Sequence, residues 1–217
     1  AMKKKQELKD VFNGLSSLLY QSAVADLSSS TLTITPEFDL PVTVDTLQIT
    51  QDDPTINHYK VIGLDGDWTS SATLGDMSIQ FTVPTKAKEV LTLAYGADAV
   101  KEITKLSIAT GDTEIDNGEN GYAGVSVMLK KQKVTGTFVL VDEEKENLMV
   151  MTNVALWAKP LYDNPGTEPF AIQFTGTMEG AGSQSMAWLK KKSSVAEASL
   201  SEEDVTGATT KARKSVL

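Results

Sequence analysis

The chain has 217 residues, of which 41% are hydrophobic and none is cysteine, and its formal net charge is −9. A chain of this size can bury one good hydrophobic core, and without cysteine it has no disulfide, no thiolate metal site and no cysteine nucleophile. No apolar run reaches the roughly 18 residues of a membrane-spanning helix, and no apolar segment of the signal-peptide type follows the basic start.

The charge is unevenly distributed along the chain. Residues 1–10 and residues 190–217 each carry +2, which leaves −13 on residues 11–189. Tight binding of phosphate needs clustered Lys and Arg, so the acidic middle of the chain is not expected to bind nucleic acid. Such a surface favours solubility, and it would also repel a polyanion or meet a basic partner.

The first predicted element is an amphipathic helix over residues 3–19. Its apolar residues recur at helical spacing and form one stripe, which consists of Leu8, Val11, Phe12, Leu15, Leu18 and Leu19. Glycine and serine residues within it lower its intrinsic stability, so we expect it to dock on the core or on a neighbouring molecule. Residues 1–30 are therefore assigned to an N-terminal helical arm.

A strand-rich domain is predicted over residues 31–189. Its first strands, at 31–35 and 42–50, place Leu32 and Ile34 inward and are separated by prolines, which cannot donate to a sheet. The next elements are a polar turn at 51–57, a short strand at 59–62, a glycine-rich loop at 63–76 and a strand at 78–83. A loop of about a dozen residues inside a compact β domain suggests a function for it.

Two helices are predicted among the strands. The first begins near Thr85, which can cap it, and ends at Gly96. Its buried stripe consists of Ala87, Val90, Leu91 and Ala94. The second is a short helix over 98–104. Helices placed within a strand-rich chain indicate an α+β, mostly β fold, either an antiparallel β-sandwich or a partly closed β-barrel with a flanking helix.

An acidic loop is predicted at residues 110–121. Asp112, Glu114 and Asp116 stand at alternate positions, as at the start of an EF-hand calcium loop. The match then fails, because glycine stands at the seventh loop position instead of the sixth and Ala123 stands at the twelfth. A solvated hairpin loop is the favoured interpretation, and a calcium site is the weaker alternative.

The remaining strands are the longest. Residues 122–130 and 134–141 predict a hairpin, and a third strand at 148–159 completes an antiparallel meander. Residues 168–179 predict a half-buried strand, with alternate large apolar side chains on one side and hydroxyl and amide groups on the other. Residues 190–217 are rich in Ser, Ala, Lys and Glu and predict a flexible C-terminal tail.

Catalytic motifs are mostly absent from the sequence. GxSxG, GxGxxG, GxxxxGK[ST] and HExxH do not occur, and the single histidine, His58, lies beside a turn where a surface role is commonest. Adjacent acids such as Asp52 with Asp53 are typical of turns. We predict no enzymatic activity, no cofactor and no metal site.

The order of these parts resembles the major tail tube proteins of long-tailed bacteriophages. The likeness covers roughly residues 32–180. It is carried by the QDDP turn leading to the loop at 63–68, by the strand and helix that follow, and by the stretches VTGTFVLVDEEKENLMVMTNVALWAKPLY and PFAIQFTGTME. The resemblance implies a sandwich or partly closed barrel, six copies to a ring, and rings stacked into a tube that conducts DNA without binding it specifically.

The resemblance also implies that the partners are other copies of the chain and other tail proteins. The location would be the virion, with assembly in the host cytoplasm, and no membrane would be involved. The predicted inter-subunit or inter-ring contacts are Leu8, Phe12, Leu15, Asp65, Asp67, Trp68, Asp112, Glu114 and Asp116. Two alternatives stay open: another virion or surface structural subunit, and a carbohydrate-binding β-sandwich that uses Trp68 or Trp157.

Overall fold

The computed structural model describes residues 11–60, 68–116, 120–129, 133–179 and 184–192. With 48% strand and 11% helix it is mostly β, and every described strand pair is antiparallel. This confirms the predicted α+β, mostly β class, and no closed barrel forms among the described strands.

The described elements are twelve strands, two α-helices and two short 3₁₀ turns. The strands are β1 Ser17–Gln21, β2 Phe38–Leu40, β3 Gln48–Gln51, β4 Thr55–Lys60, β5 Trp68–Thr73, β6 Met77–Val83, β7 Val100–Leu106, β8 Tyr122–Val127, β9 Val134–Val141, β10 Asn147–Leu161, β11 Ala171–Met178 and β12 Met186–Lys190. The helices are α1 Lys88–Tyr95 and α2 Thr113–Asp116, and the 3₁₀ turns are Val44–Thr46 and Ala97–Ala99.

The main sheet is built around β10, a strand of 15 residues. The sheet order is β2-β1-β9-β10-β11-β6-β3, and β12 also pairs with β10. Because β12 pairs with the first half of β10 and β11 with the second half, these two strands lie end to end along one edge of it. A bulge in β10 between Met151 and Val154 marks the break, where Asn153 takes a positive φ of 54°, a conformation that Asn tolerates.

The main sheet curls around its own core. Strands β9 and β6 are three places apart in the sheet order, which would put them about 14 Å apart in a flat sheet. The rings of Phe138 on β9 and Phe81 on β6 are nevertheless 5.7 Å apart, and Phe81 stacks on Phe174 of β11 at 5.0 Å. All three rings are fully buried, so the two halves of one sheet form the opposing layers of a sandwich.

Helix α1 packs against the middle of this core. Val90, Leu93 and Ala94 are buried in it, and the helix ends at Gly96, whose φ is 89° and whose N–H donates to the carbonyl of Thr92. The predicted helix and its glycine end are confirmed, but its predicted start near Thr85 is wrong: α1 begins at Lys88, and its N-cap residue is Ala87, which makes no side-chain capping hydrogen bond. The buried stripe of the helix differs from the predicted one, because Leu93 is buried and Ala87 is exposed.

The predicted N-terminal helix is wrong over the part of it that the structure describes. Residues 11–16 are irregular, and residues 17–21 form β1, which pairs with both β2 and β9. Leu18 and Tyr20, two residues apart, are both buried. The predicted stripe fits a period of 3.6, whereas Leu18 and Tyr20 fit a period of two, and pairing with two neighbouring strands decides between them. The β domain therefore begins before residue 31.

Other local predictions also change. Residues 31–35 form no strand, residues 68–73 of the predicted loop form β5, and the predicted helix at 98–104 is a 3₁₀ turn followed by β7. β-branched residues favour β7 over a helix. Strand β8 pairs with β7 and not with β9, so the predicted hairpin of 122–130 with 134–141 is wrong, while the pairing of β9 with β10 is as predicted.

Strand β11 confirms the half-buried pattern predicted for residues 168–179. Ile172 and Phe174 are fully buried and Thr175 is exposed. Ala171, predicted on the wet side, is buried as well, as is Gly176. A Cβ at Gly176 would lie 2.6 Å from Cγ1 of Val154 and 2.9 Å from Cγ2 of Ile79, so this position accepts only glycine at the present packing.

The turn between β9 and β10 is organised by a buried carboxylate. Asp142 accepts hydrogen bonds from Nδ2 of Asn147 at 2.7 Å and from the backbone N–H of Glu146 at 2.9 Å. Burial would raise the pKa of this carboxyl. Its hydrogen bonds from Asn147, Glu146 and Lys145 outweigh that effect and hold the pKa below its ordinary value of 3.8.

We expect Gly176→Ala to destabilise the fold by about 1–3 kcal/mol, because the new methyl group overpacks a closed core. Urea denaturation of the purified variant measures the change. Gly166→Ala is the matched control, since no atom lies within 4 Å of its added Cβ. Equal unfolding midpoints for the two variants would contradict the packing described here.

We expect acid to destabilise the wild-type protein partly through Asp142. The folded pKa lies below the unfolded value, so the stabilising contribution is present above about pH 4 and is lost as the pH falls through the folded pKa. Asp142→Asn should lower the thermal midpoint at pH 7 and weaken its dependence on pH below 4. Glu144→Gln, an exposed acid of the same turn, should change neither, and an identical pH profile for wild type and Asp142→Asn would argue against the role of this carboxylate.

Candidate functional site

The hairpin of β4 and β5, which we call the arm, projects from the sandwich. Its strands pair over six positions from Thr55 with Thr73 to Lys60 with Trp68, a length of about 20 Å. Within the described chain, these strands pack extensively only against each other. Ile56 is 56% exposed, and Leu74 at the root of the arm is 78% exposed.

The root of the arm is narrow and fixed. The arm continues the β3–β6 pair, and between the two ladders the N–H of Asp52 donates to the carbonyl of Asp76 at 3.0 Å. A Cβ at Gly75 would lie 1.9 Å from the carbonyl oxygen of Asp52, so the two backbone segments pass too closely there for any side chain at this position. The direction of the arm is therefore set by backbone contacts.

A second hairpin, formed by β7 and β8, lies beside helix α1. It contacts α1 through both strands, and Lys88 on the helix forms an exposed ion pair with Glu102 on β7 at 3.3 Å. Several large apolar side chains on this hairpin and its loop stay exposed, namely Leu106, Ile108, Ile115 and Tyr122. Like the arm, the second hairpin has apolar side chains exposed on its surface, where a binding partner could cover them.

The acidic loop at the tip of the second hairpin contains the short helix α2. Oδ1 of Asp112 accepts the N–H of Glu114 at 2.9 Å, and the hydroxyl of Tyr122 donates to the carbonyl of Ile115 at 2.5 Å. The Asp112 carboxylate thus takes part in a local turn. In the described part of the chain, which leaves out 117–119, no three acidic or histidine side chains are grouped to hold a metal ion.

One outer surface of the main sheet, which we call the polar face, is hydrophilic and almost uncharged. It spans the second half of β10, then β11, β6 and β3. Its hydroxyl and amide side chains are Gln48, Thr50, Ser78, Gln80, Thr82, Gln173, Thr175 and Thr177. Trp157, 49% exposed, and Lys159 lie at the β10 side of this face.

The opposite half of the same sheet surface is crossed by residues 22–36. This segment is held by two buried threonines: Thr137 accepts the N–H of Ala25 at 3.0 Å and donates to the carbonyl of Ala23 at 2.8 Å, and Thr152 donates to the carbonyl of Ala25 at 2.9 Å. Because every polar group in the cluster has a partner, the segment can cover the sheet without a desolvation penalty.

An apolar groove, which we call the outer-face groove, runs beside this crossing segment. Its volume is about 480 Å³, and none of the described side chains that line it is charged. Its leucine and isoleucine lining consists of Leu19, Leu27, Leu32, Ile34, Leu148 and Leu189. The alternate apolar residues Leu32 and Ile34 are the part of this groove that the sequence indicates. Their spacing predicts a strand with both side chains facing the core, whereas the structure places them in the lining of the groove.

The predicted contact residues do not come together at one place. Phe12 and Leu15 are partly buried against the core, and Phe12 meets the ring of Trp188 edge to face at 6.1 Å. Asp112 and Glu114 are exposed at the tip of the second hairpin. The backbone of Asp116 ends α2 and that of Trp68 begins β5.

Leu8, Asp65 and Asp67 lie outside the described residues. Two features were missed by reasoning from the sequence: the exposed apolar side chains of the arm, Ile56 and Leu74, and the outer-face groove. The predicted polar turn at 51–57 extends too far, because β4 begins at Thr55. The apolar residues of this strand, Ile56 and Tyr59, are three positions apart in the sequence, so no alternation of period two indicates a strand there.

Within the described ranges, no helix is both long enough and apolar enough to cross a membrane. No family model matches the chain, and no curated protein matches it significantly.

Proposed function

We propose that this chain is a structural subunit of a phage tail tube, which assembles into stacked rings that form a DNA-conducting channel. The observation that carries the proposal is the arm. A two-stranded hairpin alone in water is marginally stable at best, and the arm leaves Ile56 and Leu74 in solvent. Contact with another copy would bury these groups and stabilise the hairpin.

The ends of the main sheet support assembly of the same kind. The edge strands β2 and β3 have only three and four residues, and each pairs with a described strand on one side only. Short edges avoid uncontrolled pairing, but they can still meet a matched edge. A head-to-tail contact between different surfaces of identical subunits closes into a ring when the rotation closes.

The polar face supports passage of DNA past the subunit. Tight DNA binding needs several Lys or Arg side chains to neutralise phosphates. The polar face carries mostly hydroxyl and amide groups, with Lys159 and, at its margin, Lys133, whose charge is paired with Glu179. Such a surface is wetted and holds few groups to which phosphate adheres. The excess of negative charge on residues 11–189 adds a long-range repulsion.

We expect Ile56→Lys to leave the monomer folded and to raise the concentration needed for assembly at least about fivefold, because a buried apolar anchor at an interface is worth more than about 1 kcal/mol. Negative-stain electron microscopy and light scattering over a range of protein and salt concentrations measure assembly. The expected product is a ring or tube with a central hole of about 20 Å or more, since even the major groove of DNA is about 12 Å wide.

Val24→Lys is the matched control for this variant. Val24 is 51% exposed, lies outside both hairpins, and its replacement changes the net charge by the same amount. Equal assembly of Ile56→Lys and wild type would eliminate the arm as the contact. A wild-type protein that stays monomeric at every concentration and salt would count against the tube subunit itself.

Trp157 favours a second candidate function, carbohydrate binding. It lies in one cross-strand row with Thr175, Gln80 and Gln48 on the open polar face, and an exposed aromatic ring beside amide and hydroxyl groups is suited to stack on a sugar. Under the tube proposal, we expect tryptophan fluorescence to stay unchanged across a panel of glycans. Saturable quenching that Trp157→Ala abolishes would favour the carbohydrate-binding module instead.

A further inference from the structure

The outer-face groove needs a cover that the described residues do not supply. It is lined by apolar side chains from β1, β9, β10 and β12, together with the crossing segment at 22–36. Leu32 is 42% exposed and Leu189 is 49% exposed at its rim. An apolar surface of this kind in water is a docking site or an aggregation liability.

Both ends of the described chain leave the sandwich beside this groove. At one end, Nδ2 of Asn147 donates to the carbonyl of Val11 at 3.4 Å. At the other, the N–H of Lys191 donates to the carbonyl of Glu146 at 2.8 Å. Leu148, next in sequence to Asn147, lines the groove together with Leu189, so residues 1–10 and 193–217 both start within reach of it.

The chemistry of the two segments selects the C-terminal one. Residues 1–10 contain four lysines, and the described lining of the groove includes no acidic side chain to pair with them. Burying an unpaired charge is costly. Residues 195–200, with the sequence VAEASL, contain a single charged residue, Glu197. In an extended segment Ala196, Ala198 and Leu200 lie on one side and Glu197 lies on the other, so the apolar side can enter the groove while the carboxylate stays in water.

We propose that residues 195–200 of the same chain occupy the outer-face groove of the free protein. The groove crosses four strands, from β12 through β10 and β9 to β1, a span of about 14 Å. Leu200 follows Lys192 by eight residues, which reach about 12 Å as a helix and up to about 28 Å when extended. The extended segment is long enough to cross this span, whereas a helix of eight residues falls short of it, and docking of the extended segment covers the leucine rim.

This inference does not depend on tube formation. It concerns the subunit before any assembly, where an internal cover over the groove limits non-specific association of the apolar surface. The outer-face groove is also separate from the arm.

A cysteine pair tests the proposal directly, because the natural chain has no cysteine. The test variant is Leu32→Cys with Leu200→Cys, oxidised with glutathione disulfide at a protein concentration where light scattering reports monomers. The control is Leu32→Cys with Val205→Cys, five residues further along the same tail. For an undocked tail, loop closure makes the two rates equal within about twofold.

We expect the Leu200 pair to form its intrachain disulfide on the order of tenfold faster than the control, as docking raises the effective concentration of one thiol near the other. Non-reducing electrophoresis and mass spectrometry of the cross-linked peptide measure both rates. Rates within twofold of each other would overturn the proposal, because the tail would then not be docked. A predominantly dimeric product would also overturn it, since a second copy would then be the occupant.

A second measurement uses the chain without cysteines. Leu200→Asp should increase the fluorescence of an apolar-surface dye bound to the protein, because an ionised side chain leaves the groove, whereas Val205→Asp should not. An equal response of the two variants would contradict docking of residues 195–200 even if the cysteine variants proved unstable.

Discussion

The rest of the structure depends on the curvature of the main sheet, which brings Phe81 and Phe138 into contact. These rings belong to strands three places apart in one sheet, so they can meet only if the sheet curls through β10 and β11. Burying three phenylalanine rings together provides a large apolar contact, and the length of β10 lets one strand serve both layers. Helix α1 then adds its own apolar side chains to the same core.

This curvature divides the outer surface of the sheet into two parts with different chemistry. Over the first half of β10 and its neighbours β9 and β1, the outer side chains that line the groove are apolar. Residues 22–36 cross above this part of the sheet and are held there by hydrogen bonds to Thr137 and Thr152. Over β11, β6 and β3, the outer side chains are hydroxyls and amides that need no cover. The first part suits docking of protein, and the second suits contact with water and solutes.

The two hairpins extend the molecule beyond its core. The arm is placed by the close passage of the backbone at Gly75, and the second hairpin is supported by α1. Of the side chains that the structure describes in these two hairpins, none is part of the hydrophobic core, so the stability of that core does not account for them. Surfaces that cost conformational entropy and add little to the core are expected where a protein meets a partner.

Sequence periodicity by itself determined the strands β6, β9, β10 and β11 and the helix that ends at Gly96. In these segments the local pattern and the buried face agree, because alternate residues such as Ile172 and Phe174 enter the core. The acidic charge and the mostly β class also follow from the sequence, because they depend on composition and local pattern. The candidate site could be predicted only in part: the loop around residue 68 was identified as significant, but its pairing into the arm was not.

Tertiary structure alone decided which strands pair and what each face meets. Leu18 fits a helix or a strand by spacing, and only its pairing between β2 and β9 makes it a strand residue. The sequence predicts a hairpin of β8 with β9, but β8 pairs with β7. Strand partners are decided by contacts that the local sequence pattern does not contain. Leu32 and Leu189 come to one groove from positions 157 residues apart in the sequence, and no local pattern encodes such a meeting.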